Sequence, residues 1–370
     1  MNYNKYFYIL YFIFLSTFRY PELAGLYVLI TSILLLSYYP KQTVQSFRKL
    51  VILILLVVIP NFILIPILGV YWRAIAFLIY FAFLVISFEN IKPNVVHYVK
   101  FVNVTYVVYV ILSYLVYFDI INAGLRLTDI RNQFDEIYFD CNLKTMIGFE
   151  GSTAGMDAYS MLVMIINLAY FKVRKEAIYL IGLSLTNIIW TTRLTPWAMI
   201  IVPIIYLIIP SSIQKTKKLV ILTIMFFSFL IPKLLSELLE IDIAIFNLIT
   251  HGRADIWFEY SELLMKSSLN NILFGFRNSE LPYVSVWGAS YFENQPHSSY
   301  LRMLLANGLI IYLFFIYIFY YKYKNIENKK AIFVTLSIMT AAITNVNVFY
   351  NDNPIYLITF FVFTQTNLDE

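Results

Sequence analysis

Long apolar runs dominate the chain and restrict it to one class of fold. Of its 370 residues, 60% are hydrophobic and only 13% are charged, whereas about a quarter of the residues in a soluble domain are normally charged. A soluble fold cannot hide this deficit, because a globular protein needs a polar surface. A helix of about 20 apolar residues crosses the hydrocarbon core of a bilayer. The sequence therefore predicts an all-α polytopic membrane protein.

The apolar runs predict about 12 transmembrane helices in a single domain, 1–370. The first run resembles the apolar part of a signal peptide behind Lys5, but it has no small-residue cleavage site and continues into Arg19, so it is counted as a span. The predicted spans are 5–18, 23–39, 50–71, 74–88, 101–121, 155–171, 177–192, 194–210, 219–232, 298–320, 331–350 and 354–365.

The basic residues predict how these spans are oriented. One set of loops, which alternates with the others along the chain, contains most of them: Lys41, Arg48, Lys49, Lys92, Lys100, Lys172, Arg174, Lys175, Lys215, Lys217, Lys218, Lys322, Lys324, Lys329 and Lys330. Loops rich in lysine and arginine stay on the cytoplasmic side. Both termini are therefore predicted to be cytoplasmic. Two long segments then fall outside, namely 122–153 and 233–297, the second with short helices.

Arginine and lysine are sorted to opposite sides by this topology. Fourteen of the 17 lysines lie on the cytoplasmic side, with Lys144, Lys233 and Lys266 as exceptions. Eight of the ten arginines lie outside or at outer helix ends: Arg19, Arg73, Arg126, Arg131, Arg193, Arg253, Arg277 and Arg302. A guanidinium stays charged and binds phosphate oxygens through paired hydrogen bonds. The set favours an anionic ligand such as a phosphate or pyrophosphate, with salt bridges to outer acids as the alternative for single arginines.

Several other classes of protein and site are disfavoured. A single cysteine, Cys141, rules out an intramolecular disulfide and any multi-cysteine metal site. With only three histidines, a catalytic zinc centre is not expected. The net charge of +5 is scattered between apolar runs and does not indicate a nucleic-acid partner. No metal or cofactor is therefore predicted.

The second outer segment contains a helical stretch with charged and aromatic residues at helical spacing. Arg253 and Trp257 are four residues apart and share a face, while Asp255 and Glu259 share a neighbouring face. These carboxylates could hold or neutralise the arginine. A turn that follows the helix is predicted to project a second arginine, Arg277.

The same segment ends with a histidine directly before a long apolar helix. Pro296 prevents backward extension of that helix, and Ser298 or Ser299 can cap it. His297 would then face the positive end of the helix dipole, which disfavours the imidazolium form. A neutral imidazole can accept a proton as a general base. The alternative is an interfacial histidine that is hydrogen-bonded to the loop.

These residues resemble the pattern of the O-antigen polymerase and O-antigen ligase superfamily. That pattern reads roughly Gly-Arg…Trp, a Gly-aromatic turn, and His-Asn-x-Tyr-Leu followed by a glycine, with a Ser-Arg-Thr element at the outer end of a span. The matching residues are Gly252, Arg253 and Trp257; Gly275 and Phe276; His297, Ser298, Ser299, Tyr300, Leu301 and Gly308; and Thr191, Thr192, Arg193, Leu194 and Thr195. Ser298 stands where asparagine is usual, and Thr192 where serine is usual.

The resemblance implies a reaction at the periplasmic face of a bacterial inner membrane. Arg193 and Arg253 would bind the pyrophosphate of an undecaprenyl-pyrophosphate-linked glycan, and His297 would take the proton from the hydroxyl of the acceptor sugar. The family implies transfer with inversion, without a metal ion or cofactor. The residues expected to help bind substrate are Arg277, Arg302, Trp257, Tyr300 and Asp255.

Three functions remain open at this point. A polymerase joins lipid-linked repeat units and can work with a partner protein that regulates chain length, and this is the preferred interpretation. A ligase of the same superfamily passes finished glycan to lipid A-core. A flippase or transporter is disfavoured, because intramembrane ionisable residues mark transport routes and the spans contain almost none.

Overall fold

The computed structural model describes part of the chain, mostly in its C-terminal three quarters. The described residues are 95–118, 120, 153–170, 176–191, 195–209, 214–240, 242–243, 253–276, 281, 284–285, 292–293, 296–344 and 354–365. The first four predicted spans lie outside them, as does nearly all of the predicted outer segment 122–153. The total of about 12 spans therefore stays a prediction.

Within these ranges the chain is helical, apart from one short antiparallel ladder. The ladder pairs β1 (Val284–Ser285) with β2 (Phe292–Glu293). The helices are α1 (Val95–Tyr117), α2 (Thr153–Tyr170), α3 (Ala177–Thr191), α4 (Thr195–Ile208), α5 (Gln214–Phe226), α6 (Ile231–Leu239), α7 (Arg253–Lys266), α8 (Leu269–Phe274), α9 (Ser299–Lys324), α10 (Lys329–Thr344) and α11 (Pro354–Gln365).

Two of the helices in the described part are long and apolar enough to cross a membrane. They are Tyr98–Tyr117 within α1 and Ser299–Lys324, which is α9. A third crossing is present if Thr216–Phe226 and Ser228–Leu239, which bend by 58° where they meet, count as one span. Helices α2, α3 and α4 are apolar but shorter. The helical fold class is therefore confirmed in these residues, together with two or three candidate spans.

For six predicted spans, the first residue lies within two residues of the first residue of an observed helix. They are 155–171, 177–192, 194–210, 298–320, 331–350 and 354–365, which correspond to α2, α3, α4, α9, α10 and α11. The boundaries predicted for α1, α5 and α6 are wrong. Helix α1 begins at Val95 rather than 101, with Lys100 exposed on its surface. Helix α6 continues through the predicted start of the second outer segment at 233.

Buried polar side chains join α1, α2 and α3. Asn103 and Asn167 exchange amide hydrogen bonds of 2.9 and 2.8 Å between α1 and α2. Asn187 on α3 donates to the hydroxyl of Tyr106 at 3.0 Å and accepts from Tyr114 at 2.9 Å. Between membrane helices the hydrophobic effect is weak, and such bonds contribute to association. They fix the relative positions of three helices along the bundle.

Helix ends that adjoin three of the loops predicted to be cytoplasmic meet at one end of the bundle, which we call the lysine end. The buried ammonium of Lys218 on α5 donates to the carbonyls of Lys324, at 3.0 Å, and Ile326, at 2.6 Å, where α9 ends. The ammonium of Lys330, on α10, lies 5.4 Å from the ring centre of Tyr170, the last residue of α2. The end of α2, the first turns of α5 and the connection between α9 and α10 therefore lie together. Which side of a membrane they face stays a prediction.

A second lysine explains why α5 begins earlier than predicted. Helix α5 starts at Gln214 instead of 219. The ammonium groups of Lys217 and Lys218 in its first turns bond to backbone carbonyls of other segments. The ammonium of Lys217 donates to the carbonyl of Tyr206 and, at 2.8 Å, to that of Ile209, at the end of α4. The last carbonyls of a helix lack partners within it, and a cation satisfies them well. A prediction from hydropathy alone assigns such a lysine to a loop.

Candidate functional site

The opposite end of the bundle, which we call the site end, is where α9 begins and α10 ends. The hydroxyl of Tyr300 on α9 donates to the carbonyl of Met339 on α10 at 2.8 Å. The hydroxyl of Ser298 lies 3.5 Å from the carbonyl of Ala342, to which it donates. All four residues are buried. These contacts hold the start of α9 in register with the end of α10, so that His297 lies at a fixed place.

The local chain around His297 has the predicted cap. Ser298 adopts an extended backbone conformation at the N-cap of α9, and its hydroxyl accepts from the amide of Leu301 at 3.4 Å. His297 precedes it with a positive φ of 44°, an uncommon conformation for a residue with a side chain. Its side chain is half-buried. The predicted position of His297 directly before the cap of a long apolar helix is confirmed.

One hydrogen bond brings the two halves of the predicted site together. Trp257 on α7 is buried, and its indole nitrogen donates to the carbonyl of Pro296 at 3.0 Å. Pro296 is the residue before His297. Arg253, the first residue of α7, is half-buried one turn before Trp257 on the same face. The end of α7 that carries Arg253 is thus held near the residues that lead into α9.

Helix α7 is also fixed from its other side, by the bent pair α5 and α6. The ammonium of Lys233 on α6 is buried and lies 2.9 Å from a carboxylate oxygen of Glu262 and 3.1 Å from one of Glu237. The hydroxyl of Ser261 donates to the carbonyl of Trp257 at 2.6 Å and is 3.4 Å from that of Phe229. Helix α7 therefore has polar contacts both to the bent pair α5 and α6 and to Pro296, which leads into α9.

The Glu262 carboxyl lies between two lysines of different exposure. Hydrogen bonds from Lys266 and Lys233 hold the pKa of this carboxyl below its usual value. Lys266 is largely exposed and follows by one turn on the same helix, whereas Lys233 is buried on α6. The carboxylate form of Glu262 is thus favoured where the two helices meet.

Two glycines allow α8 to cross α9 backbone against backbone. The long helix α9 breaks at Gly308, where φ is 75° and ψ is 172°, and α8 ends at Gly275, with φ of 96°. The break frees the carbonyl of Leu305, which accepts from the amide of Phe276 at 2.7 Å. A Cβ on Gly275 would lie 2.8 Å from the carbonyl oxygen of Ala306. The Gly-aromatic turn at Gly275 and the later glycine of the sequence pattern, Gly308, therefore both lie where α8 crosses α9.

Asn307 lies at the last helical position before this break. It is buried, and its amide nitrogen donates to the carbonyl of Met303 at 3.1 Å. Its amide oxygen has no hydrogen-bond partner among the described residues. A buried acceptor without a partner is uncommon in native proteins and calls for an explanation such as a ligand or bound water.

Helix α4 begins at the site end with Thr195, whereas Arg193 lies outside the described residues. Helix α4 ends at the lysine end, where Lys217 binds its last carbonyls. Its 14 residues extend about 21 Å at 1.5 Å each, so Thr195 lies at the opposite end. Helix α4 packs along α10. The start of α4 at Thr195 is therefore directed toward the end of α10 that Ser298 contacts.

The other predicted site residues divide into three cases. Arg277 lies outside the described residues. Arg302 and Asp255 are half-buried on the first turns of α9 and α7. Tyr300 is fully buried and its hydroxyl bonds to Met339, so what it visibly does is join two helices. Direct contact of any of these side chains with a substrate stays a prediction.

Sequence reasoning missed the role of Lys233. It stood out only as one of three lysines outside the basic loops, and nothing in its neighbours along the chain predicted burial. Its main partner, Glu262, is 29 residues away. The acidic side chain of Asp157, near the start of α2, is likewise almost fully buried, which its position near a helix end does not predict.

Comparisons with known proteins add no assignment. No protein-family model matches the chain, and neither a curated protein nor a solved structure is significantly similar to it. Within the described ranges, no group of three His, Cys, Asp or Glu side chains is placed to hold a metal ion. The resemblance in sequence pattern therefore stays a prediction.

Proposed function

We propose that the chain is a bacterial surface-polysaccharide polymerase of the inner membrane, which joins undecaprenyl-pyrophosphate-linked repeat units at the periplasmic face. The observation that supports this most is the 3.0 Å hydrogen bond from Trp257 to Pro296. It joins the helix that begins with Arg253 to the residue before His297. Two motifs that are far apart in the sequence, and that resemble one superfamily, thereby meet at one end of the bundle.

The proposed reaction needs a cationic clamp and a proton acceptor. The hydroxyl oxygen of the acceptor sugar attacks the anomeric carbon of the donor and forms the new glycosidic bond. The bond from that carbon to the pyrophosphate oxygen breaks, and its electron pair leaves with the lipid pyrophosphate. His297 takes the hydroxyl proton, while Arg253 and Arg193 neutralise the leaving group. Attack from the face opposite the leaving group inverts the anomeric carbon.

Arginine suits the clamp better than lysine does. Its planar guanidinium binds two phosphate oxygens at once, whereas an ammonium acts as a point charge. The leaving pyrophosphate is already stabilised as an anion, so guanidinium groups can neutralise it without a metal ion. The half-buried setting of Arg253 supports this role, because charges interact more strongly when they are partly shielded from water.

The test is to delete the gene and examine the surface polysaccharide. Single repeat units on the lipid core would support a polymerase, whereas unattached polymer would indicate a ligase and refute the proposal. In the deletion strain, His297→Ala should fail to restore long chains. His97→Ala is the matched control and should restore them. His97 precedes Tyr98 on α1, and the ring of Tyr98 contacts Phe363, which contacts Tyr170 at the lysine end.

The clamp is tested separately. Arg253→Lys keeps the charge but removes the paired hydrogen bonds, so it should shorten or abolish the polymer while the protein remains in the membrane. Wild-type chain lengths from both Arg253→Lys and Arg193→Lys would exclude a pyrophosphate clamp made by these two arginines.

A further inference from the structure

Helix α9 consists of two halves that meet at a sharp bend. The ring centre of Phe226 lies 4.7 Å from that of Tyr300, which precedes the break at Gly308. It also lies 6.0 Å from that of Phe319, which follows the break. In a straight helix, residues nineteen positions apart are roughly 28 Å apart along the axis, too far for one ring to contact both. The break therefore redirects α9 within a packed, apolar part of the bundle.

The break replaces an ordinary helical hydrogen bond. In a continuous helix the carbonyl of Leu305 would accept from the amide of Leu309, four residues later. It accepts from the amide of Phe276 instead, at 2.7 Å. The φ of 75° and ψ of 172° at Gly308 turn the following peptide out of the helical direction. The Leu309 amide therefore needs a different acceptor.

Asn307 offers an acceptor beside this amide. Its side chain is only 2% exposed, and its amide nitrogen donates to the carbonyl of Met303 at 3.1 Å. This bond fixes the orientation of the side-chain amide, because the reverse orientation would bring two oxygens together. The amide oxygen has no hydrogen-bond partner among the described residues. In turns, an asparagine oxygen commonly bonds to the amide two residues on, which here belongs to Leu309.

We propose that one buried water molecule occupies the break of α9, where it accepts from the amide of Leu309 and donates to the side-chain oxygen of Asn307. Water suits the place because it accepts and donates at once, whereas a cation could bind the oxygen but would be repelled by the amide. A sugar hydroxyl is excluded, because Asn307 is buried and so are Tyr300 and Leu304 in the same half of α9.

Such a water explains how an apolar helix can carry this break. Backbone groups that are freed by a break inside a membrane protein are satisfied by neighbouring side chains or by ordered water, and buried waters typically bond to two to four polar groups. The carbonyl of Leu305 is then available to Phe276, so the water supports the crossing of α8 and α9. This inference does not depend on the reaction that the site performs.

The test uses X-ray radiolysis of the full chain in lipid nanodiscs. A short pulse splits water into hydroxyl radicals, which oxidise a nearby sulfur before they diffuse away. The sulfur of Met303 lies 3.3 Å from the side-chain nitrogen of Asn307, so it is close to the proposed water. Met339 and Met161 are equally buried and serve as controls. We expect mass spectrometry to show that Met303 is oxidised severalfold faster than either control.

A variant tests whether Asn307 holds the water. In Asn307→Leu, which has a similar volume and no acceptor, the oxidation of Met303 should fall to the rate of Met339 and Met161. Labelling that persists in this variant would overturn the proposal, as would equal rates for all three methionines in the wild type. The wild-type comparison stands alone if the variant fails to fold. Labelling should be the same when sodium is replaced by N-methylglucamine, and a difference would indicate a bound cation instead.

Discussion

Replacing Gly308 by alanine tests the backbone crossing between α8 and α9. At this residue φ is 75° and ψ is 172°, a region that essentially only glycine occupies and that costs other residues about 1–3 kcal/mol. A Cβ would also overlap the carbonyl of Leu273 and stand 2.5 Å from the amide nitrogen of Phe274. The obstacle is backbone, so no side-chain rotation can relieve it.

The expected loss of stability is the sum of strain and displacement. Extra atoms in a packed site typically cost about 1–3 kcal/mol, so Gly308→Ala should destabilise the protein by about 2–6 kcal/mol. Gly275→Ala should act in the same direction but less, because its nearest contact, at 2.8 Å, is longer. The double variant should lose less than the sum, since one separation of the helices relieves both clashes.

The assay is thermal unfolding of the purified protein, followed by tryptophan fluorescence. Gly182→Ala is the matched control, because nothing lies within 4 Å of its Cβ and alanine favours a helix by about 1 kcal/mol over glycine. We expect Tm to fall by roughly 3–8 °C for Gly308→Ala, and to stay or rise for Gly182→Ala. Equal Tm values for Gly308→Ala and the wild type would refute the crossing.

Two further predictions concern helix α7. Trp257→Phe keeps an aromatic side chain but leaves the buried carbonyl of Pro296 without its donor. We therefore expect the free energy of unfolding to fall by about 1–3 kcal/mol in chemical unfolding, and polymer formation to fall by more than this loss of stability explains. An unchanged unfolding midpoint would contradict this. The Glu262 carboxyl has a lowered pKa in the folded state, so its contribution to stability is present above its unfolded pKa of about 4.3 and is lost as the pH falls through the folded value. The difference in stability between the wild type and Glu262→Gln should therefore shrink below about pH 4; a difference that stays constant down to that range would exclude the ion pair.

The helices could be predicted wherever length and apolar content decide the structure. Helices α3 and α11 begin at the predicted residues 177 and 354, because an apolar run between polar loops leaves little choice. The prediction failed at α5, whose first turns contain Lys217 and Lys218. These ammonium groups bond to carbonyls at the ends of α4 and α9, and such partners are invisible to a hydropathy profile.

In the candidate site, too, contacts between residues close in the sequence could be predicted, whereas contacts between distant residues could not. The cap by Ser298 was predictable because it depends on residues three positions apart. The bond from Trp257 to Pro296 spans 39 positions, and only the fold brings these residues together. Gly308 could be recognised as part of a sequence pattern. Its positive φ and its crossing with α8 could not be predicted, because they depend on the backbone geometry of the folded chain.

The bond from Phe276 to Leu305 has a consequence for the order in which the protein assembles. Helix α7 can attach to α6 early, because Lys233 and Phe229 precede it in the chain. The end of α8 cannot do so, because its acceptor belongs to a helix that is synthesised later and must break at Gly308 to offer a carbonyl. The end of α8 therefore reaches its final arrangement only after α9 has formed, which makes this end of the molecule one of the last parts to mature.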